Sequence, residues 1–331
     1  MENSKMISDI DFVVLWLDST DLKWIQEYNK YSNKPINPNN VRFRNNDLFR
    51  YVFRSIEKNT PWVRKIHLVT FGHIPDWLNL NSKKINLVKH TDFIPNEYLP
   101  TFNSHTIELN LHRIKGLSEN FVYFNDDMYI LKSLNEKYFF KNDLPRDSSI
   151  LSSFVPTYDL ISNICYNDMN TINKYFSMSD VKKDIYKWIN LKYGKHMFKN
   201  FMYIMLNRIS SFEEDHLPHS FKKSAFETVW EKEFDLLHQT CLHKFRNSND
   251  VNQWLLRYWQ FCTNKFEPRH YTVGGYRQMN YNIKDTIKII KEQKFPMVCI
   301  NDSDIDNYND LITQLEDAFN FILPNKSNFE L

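Results

Sequence analysis

Residues 121–127 read Phe-Val-Tyr-Phe-Asn-Asp-Asp, an aromatic and β-branched run that ends in two adjacent carboxylates. A buried strand stops where its side chains can no longer enter a core, and in an open α/β sheet the carboxyl ends of the strands line the ligand crevice. Asp126 and Asp127 at such an end would hold a divalent cation against a phosphorylated substrate. The bland alternative is a strand-terminating turn in which Asn125 and Asp126 cap local backbone donors. Asp302 follows a second apolar run, residues 298–300, and mirrors this position, so it joins the candidate metal ligands. Asp11, Asp18 and Asp21 lie in and just after the first apolar run, where a topological switch point would meet a nucleotide or its ribose.

The chain holds five glycines and neither a G-x-G-x-x-G nor a G-x-x-x-x-G-K-[ST] motif. Phosphate would therefore be met by metal, Arg, Lys and His rather than by a Gly-rich cradle. Arg54 and Arg246 offer planar guanidinium forks for phosphate oxygens. His216 is of the type that accepts a hydroxyl proton near neutrality, with Asp127 as the alternative base. His216 and His219 sit three apart around a proline, which does not make the i, i+4 helical pair of a zinc site. Glu108 and His112 are an i, i+4 pair, for which a structural and a substrate-binding role stand level. Arg54 could instead pair with Glu57 or Asp47 on its own helix, and His243 reads as structural beside Arg246.

These residues need a scaffold, and the pattern of apolar positions supplies one. Residues 10–17 form a nearly continuous apolar run, residues 48–58 carry a helical stripe, and residues 66–70 and 85–88 read as strands. Residues 106–114 look helical, with Gly116 just beyond as a C-terminal cap. Strands alternating with helices up to about residue 130 predict an α/β fold with a parallel or mixed Rossmann-like sheet. From about residue 179 the spacing turns helical through 181–209, 221–237 and 251–262, and a last amphipathic helix covers 310–321. The expected division is an α/β core over 1–150 and a mainly helical part over 151–331 that returns side chains to the same crevice.

At 331 residues, 42% apolar and 25% charged, the chain has the balance of a globular protein with a sizeable core. Its 42 basic and 40 acidic residues give a net charge of +2, which predicts no nucleic-acid partner. The four cysteines lack metal-site or disulfide spacing and read as buried free thiols. Residues 1–9 do not resemble a secretory signal, and the longest apolar runs fall far short of the roughly 18 residues that span a bilayer. A cytoplasmic protein is expected. Residues 182–208 hold seven basic side chains against the single acid Asp184, interleaved with Trp188, Tyr193, Phe198, Phe201 and Met202. That texture suits peripheral attachment to the inner face of an anionic membrane, or simply a solvated helix face.

Several segments, in order and spacing, resemble the Stealth family of hexose-1-phosphate transferases. The first is Ile10-Asp11-x-Val-x-x-Trp16-x-Asp18-x-x-Asp21-x-x-Trp24. A second, nearly complete region runs from Arg42-Phe-Arg44 through Arg54-Ser-Ile-Glu57, Pro61-Trp-Val-Arg-Lys65, Asn103-Ser104, Glu108 and His112-Arg-Ile to Asn125-Asp126-Asp127. A third is similar at His216-Leu-Pro-His219 and His243-Lys-Phe-Arg246, and a fourth at Cys299-Ile-Asn-Asp302. Phe71-Gly72-His73 departs from the Asn-Gly-Gln turn frequent in the family. The resemblance implies a glycosyltransferase-A-like fold and Mg²⁺ or Mn²⁺. It also implies transfer of a sugar 1-phosphate from a nucleotide sugar, expected to be UDP-linked, to a lipid-linked or oligosaccharide hydroxyl, with release of UMP. Trp16, Arg44, Asn103 and Ser104 join Asp11, Asp18, Asp21, Glu108 and His112 as candidate substrate contacts. The rival readings are a metal-dependent glycosyltransferase that releases UDP and a non-catalytic scaffold of a polysaccharide assembly complex.

Overall fold

The computed structural model describes residues 8–33, 35–36, 47–272, 274–279, 283–305 and 307–331. Its central sheet begins with β1 (Ile10–Leu15), β2 (Ile66–Thr70), β3 (Ile85–Lys89) and β4 (Asn120–Phe124), all mutually parallel. Next come β5 (Met128–Ile130), β6 (His219–Lys222), β7 (Tyr276–Gln278) and β8 (Met297–Asn301). The order β6-β4-β1-β2-β3, with β6 antiparallel at the edge, makes a mixed sheet, and β7-β8-β5 form a small second one. Crossovers include α1 (Leu22–Tyr31) and α2 (Phe49–Asn59), and the short α3 (Ser104–Leu109) precedes β4. The second half adds α4 (Leu160–Tyr175), α5 (Lys223–Lys232), α6 (Phe234–Leu242), α7 (Gln253–Cys262), α8 (Ile283–Lys291) and α9 (Tyr308–Ile322). The α/β class and the parallel-rich sheet agree with the sequence expectation.

Side chains alternate across a strand. Phe12 and Val14 of β1 accordingly enter one core with Val52, Phe53 and Ile56 of α2 and with Leu315 and Phe319 of α9. Val13 enters the other, with Phe121, Phe221, Phe226, Leu255 and Trp259. Both sheet faces are covered, which is why the parallel strands read as mainly apolar runs, interrupted by Asp11 in β1, His67 in β2 and Asn86 in β3. Each core contains residues from early and late in the chain, so the strand ends and the later helices are fixed relative to one another.

Local chemistry explains where elements begin and break. Asp21 caps α1 by accepting from the Trp24 amide at 2.7 Å, and Asn252 caps α7 by accepting from the Trp254 amide at 2.9 Å. The helix expected over 106–114 divides: α3 ends at Leu109, and a 3₁₀ turn covers Leu111–Arg113. Asn110 sits at the break, its side-chain amide donating back to the Thr106 carbonyl at 2.8 Å. The stretch 181–209 also fragments into short turns, interrupted by Gly194 at φ 55° and ψ −134°. Phe221, expected in a helix, instead pairs with Phe121 across β6 and β4. Among the described residues no helix is long and apolar enough to cross a membrane.

Candidate functional site

The parallel strands open at their carboxyl ends into a cleft of about 690 Å³. Leu15, Trp16 and Leu17 line it from the end of β1, and Asn125, Asp126 and Asp127 from the end of β4. Ser104 and Glu108 reach it from α3, while Glu214, His216 and Arg246 come from loops of the second half. Gln253 and Trp254 at the start of α7, Tyr276 of β7 and Asn301 of β8 complete the lining that matters here.

Asp126 is open to the cleft but crowded on its protein side; burial first, then the adjacent Asp127 charge, pushes its carboxyl up to about 7. Burial also raises Asp127, partly offset by the nearby His216. The backbone carbonyl of Asp127 accepts from the Ile300 amide at 2.9 Å, which ties the dyad to β8. Its Oδ2 accepts from Cys299 Sγ at 3.2 Å, whereas its Oδ1 is buried with no hydrogen-bond partner. A buried carboxylate oxygen without a donor costs free energy that a cation would offset, so this site fits a divalent metal.

Around this centre, Tyr123 donates to Asn125 Oδ1 at 2.6 Å and its hydroxyl lies 3.2 Å from Glu108 Oε1, while Glu108 Oε2 is buried without a partner. Arg246 donates to Ser104 Oγ through Nη2 at 2.7 Å and Nε at 3.2 Å, two bonds that fix the plane of a guanidinium lining the cleft. His216 holds a left-handed backbone, φ 48°, uncommon for a residue with a side chain. Its neighbours hold it there: Glu214 accepts from Arg257 at 2.8 Å and Tyr258 at 2.6 Å, and Asp215 contacts His219 at 3.1 Å. Arg257, fully buried, also grips Asp147 with two bonds of 2.7 and 2.9 Å.

The cleft thus brings together Trp16, Ser104, Glu108, Asp126, Asp127, His216 and Arg246 from the sequence-derived set. Other candidates are corrected. Arg54 does not face the cleft: its guanidinium makes a buried two-point ion pair with Glu330, 2.8 Å on each arm, and a 3.1 Å bond to the Leu323 carbonyl. Neither Glu57 nor Asp47 is the partner in that pair. Asp11 lies one residue into β1, level with Phe121 and so at the opposite end of the sheet from Asp126. There it accepts from Arg64 at 2.8 Å, His67 at 3.0 Å and the Ser118 amide at 2.8 Å. His112 is buried beside Phe226 and Trp230, and burial lowers its imidazole to about 3. Asn103 is buried as the cap of α3 and bonds Asp250 at 2.8 Å, so it positions Ser104 instead of lining the cleft.

Asp18 and Asp21 cap the turn and helix after β1, and Trp16 and Trp24 supply the cleft surface there. Asp302 caps its own turn through the Ser303 amide at 2.6 Å, and its neighbour Asn301 faces the cleft. Arg44 lies outside the described residues. His243 pairs with Asp250 at 2.7 Å, as a structural residue should. Cys299 is the buried free thiol that the sequence predicts, and its place beside Asn301-Asp302 at a strand end is the signal that sets it near the site. Glu214, Gln253, Trp254 and Tyr276 carried no motif that marked them.

The family model for Stealth protein conserved region 2 matches residues 42–147, the segment that carries Ser104, Glu108, Asp126 and Asp127. The chain is 40% identical to capsular polysaccharide phosphotransferase WcwK of Streptococcus pneumoniae over 98% of this chain and 99% of that protein. It is 40% identical to exopolysaccharide phosphotransferase cps2G of Lactiplantibacillus plantarum over 97% and 96% of the two chains. Receptor polysaccharide phosphotransferase WefC of Streptococcus oralis is 38% identical over 98% of this chain and all of its own. With identity at this level along nearly the whole of both chains, and the matched region delivering its carboxylates into one cleft, this chain is an enzyme that belongs to the Stealth family, a family of phosphotransferases.

Proposed function

We propose that the enzyme transfers a sugar 1-phosphate from a UDP-sugar to a hydroxyl of a glycan acceptor during cell-surface polysaccharide synthesis, and that UMP leaves. The observation that carries this reading is the Asp126-Asp127 dyad with its partnerless buried oxygen, facing His216 and Arg246 across one cleft. In this reading residues 1–150 hold the donor and residues 151–331 complete the acceptor side. Asp126 and Asp127 hold Mg²⁺ or Mn²⁺, which when bound neutralises charge on the diphosphate. Arg246 binds non-bridging phosphate oxygens while Ser104 fixes its plane. His216 takes the proton of the attacking hydroxyl; that oxygen bonds to the β-phosphorus, and the bond from the β-phosphorus to the bridging oxygen breaks toward UMP. Trp16 and Tyr276 flank the sugar and exclude water.

Incubating the enzyme with Mg²⁺, a panel of UDP-sugars and an oligosaccharide acceptor checks the reading. UMP that forms only with acceptor, and that falls at least a hundredfold in Asp127→Asn and His216→Ala, is the expected result. UDP in its place would make the enzyme a glycosyltransferase; undiminished product from Asp127→Asn would make the cleft non-catalytic.

A lipid-linked acceptor would be met at a membrane, and residues 182–208 are offered as the attachment face, with a changed basis. Trp188 and Tyr193 are core residues, and Lys183, Lys187 and Lys199 are paired with Asp180, Asp184 and Glu213. What projects is apolar: Phe198, Phe201, Met202 and Met205 are 66%, 60%, 71% and 77% exposed. Such a cluster beside the exposed Lys195 suits insertion into the interface of an anionic leaflet.

A further inference from the structure

Asp127, His216 and Cys299 bring a carboxylate oxygen, an imidazole nitrogen and a thiol sulfur to within 4.8 Å of one another. They arrive from three separate segments: the turn after β4, the loop before β6, and β8. Mg²⁺ and Mn²⁺ take oxygen ligands and have no use for the sulfur. A thiolate, an imidazole and a carboxylate together are instead the donors of a tetrahedral zinc-type site with one position open. The second observation is the buried Asp127 Oδ1, which has no donor of its own, while Oδ2 faces the Cys299 sulfur at 3.2 Å.

We propose that Asp127, His216 and Cys299 form a site for a thiophilic divalent cation, Zn²⁺ or its analogues Co²⁺ and Cd²⁺, at the edge of the cleft, which Asp127 and His216 line and beneath which Cys299 is buried. Tetrahedral bonds of about 2.0–2.3 Å place donor atoms about 3.3–3.8 Å apart; Cys299 and Asp127 already meet at 3.2 Å, so only the wider separations close, by no more than about 1.5 Å, on binding. The Cys299 thiol loses its proton to solvent as the metal–sulfur bond forms. This cation withdraws Asp127 from the oxygen-only metal and His216 from proton transfer, so Zn²⁺ blocks the reaction that Mg²⁺ supports. The block rests on the function proposed above, whereas the binding does not.

Titrating the metal-free full chain with Co²⁺ and following absorption tests the site. The expected result is a thiolate-to-cobalt charge-transfer band that saturates at one equivalent. It should be absent in Cys299→Ser, and the affinity should fall at least tenfold in His216→Ala, which keeps the thiol and guards against a folding defect in the first variant. No thiolate band, a band that persists in Cys299→Ser, or unchanged affinity in His216→Ala would each overturn the proposal. If the band forms as expected yet Zn²⁺ leaves nucleotide release untouched, the place given to Asp127 and His216 in the reaction fails and the metal site stands.

Discussion

Individual side chains in this molecule divide by what surrounds them more than by type. His216 and His112 stand as two candidate imidazoles in the sequence, yet one faces the cleft and the other is enclosed by Phe226 and Trp230. Burial holds His112 neutral, with its imidazole lowered to about 3. Below about pH 6.5 the unfolded chain gains a proton that the folded protein refuses, so this residue makes stability fall as pH drops from about 6.5 toward 3. At pH 5 the loss from this one group is about 2 kcal/mol. His112→Gln should therefore narrow the stability gap between pH 7 and pH 5 by about that amount in urea denaturation, and leave KM for the donor unchanged. A raised KM with an unaltered gap would return His112 to the substrate. Tyr123, Asn125 and Glu108 illustrate the converse: their short bonds are legible only once α3 and β4 lie side by side.

At the scale of elements, periodicity located what it could. The runs at 66–70, 85–88 and 298–300 became β2, β3 and β8: β2 and β8 are buried nearly throughout and announce themselves as apolar stretches, while the half-buried edge strand β3 shows through Ile85, Leu87 and Val88. Phe221 misled because a four-residue edge strand followed at once by a helix has too few turns to show its own period. The stretch 181–209 misled because Gly194 and the buried Asn200 serve tertiary turns that a helical count does not register. Arg54 was legible as important and illegible in role, since its partner Glu330 lies 276 residues away. This pair clamps α2 to the segment after α9, and both side chains are under a tenth exposed. Glu330→Gln leaves a buried guanidinium uncompensated and should cost about 3–5 kcal/mol in chemical denaturation. The rate per folded molecule should hold; a variant of normal stability that has lost activity would restore Arg54 to phosphate binding.

The whole molecule is organised so that a sheet covered on both faces presents one end to a cleft whose far wall comes from the second half of the chain. The carboxylate end of that cleft was readable from residues 121–127 once the family segments around them were counted, since two carboxylates alone suit a strand-terminating turn equally well. On the opposite wall His216 and Arg246 were named through the family segments, but Glu214, Trp254 and Tyr276 were not, because no motif marks them and Glu214 is placed by the buried Arg257, whose other partner Asp147 lies 110 residues away. On the outside, the apolar cluster at 198–205 predicts a membrane-facing surface. Replacing Phe198, Phe201 and Met202 by Ser should reduce sedimentation with vesicles containing an anionic lipid at least tenfold, and spare turnover of a water-soluble acceptor. Unchanged sedimentation would leave this cluster without a membrane role.

The central claim is that phosphorus moves with the sugar, and a UDP-sugar carrying radioactive phosphorus at the β-position tests it most directly. Sugar-phosphate transfer predicts that the label enters the glycan product, survives phosphatase treatment as a diester, and is absent from the released nucleotide. Label recovered wholly in UDP, with an unlabelled glycan, would contradict the account.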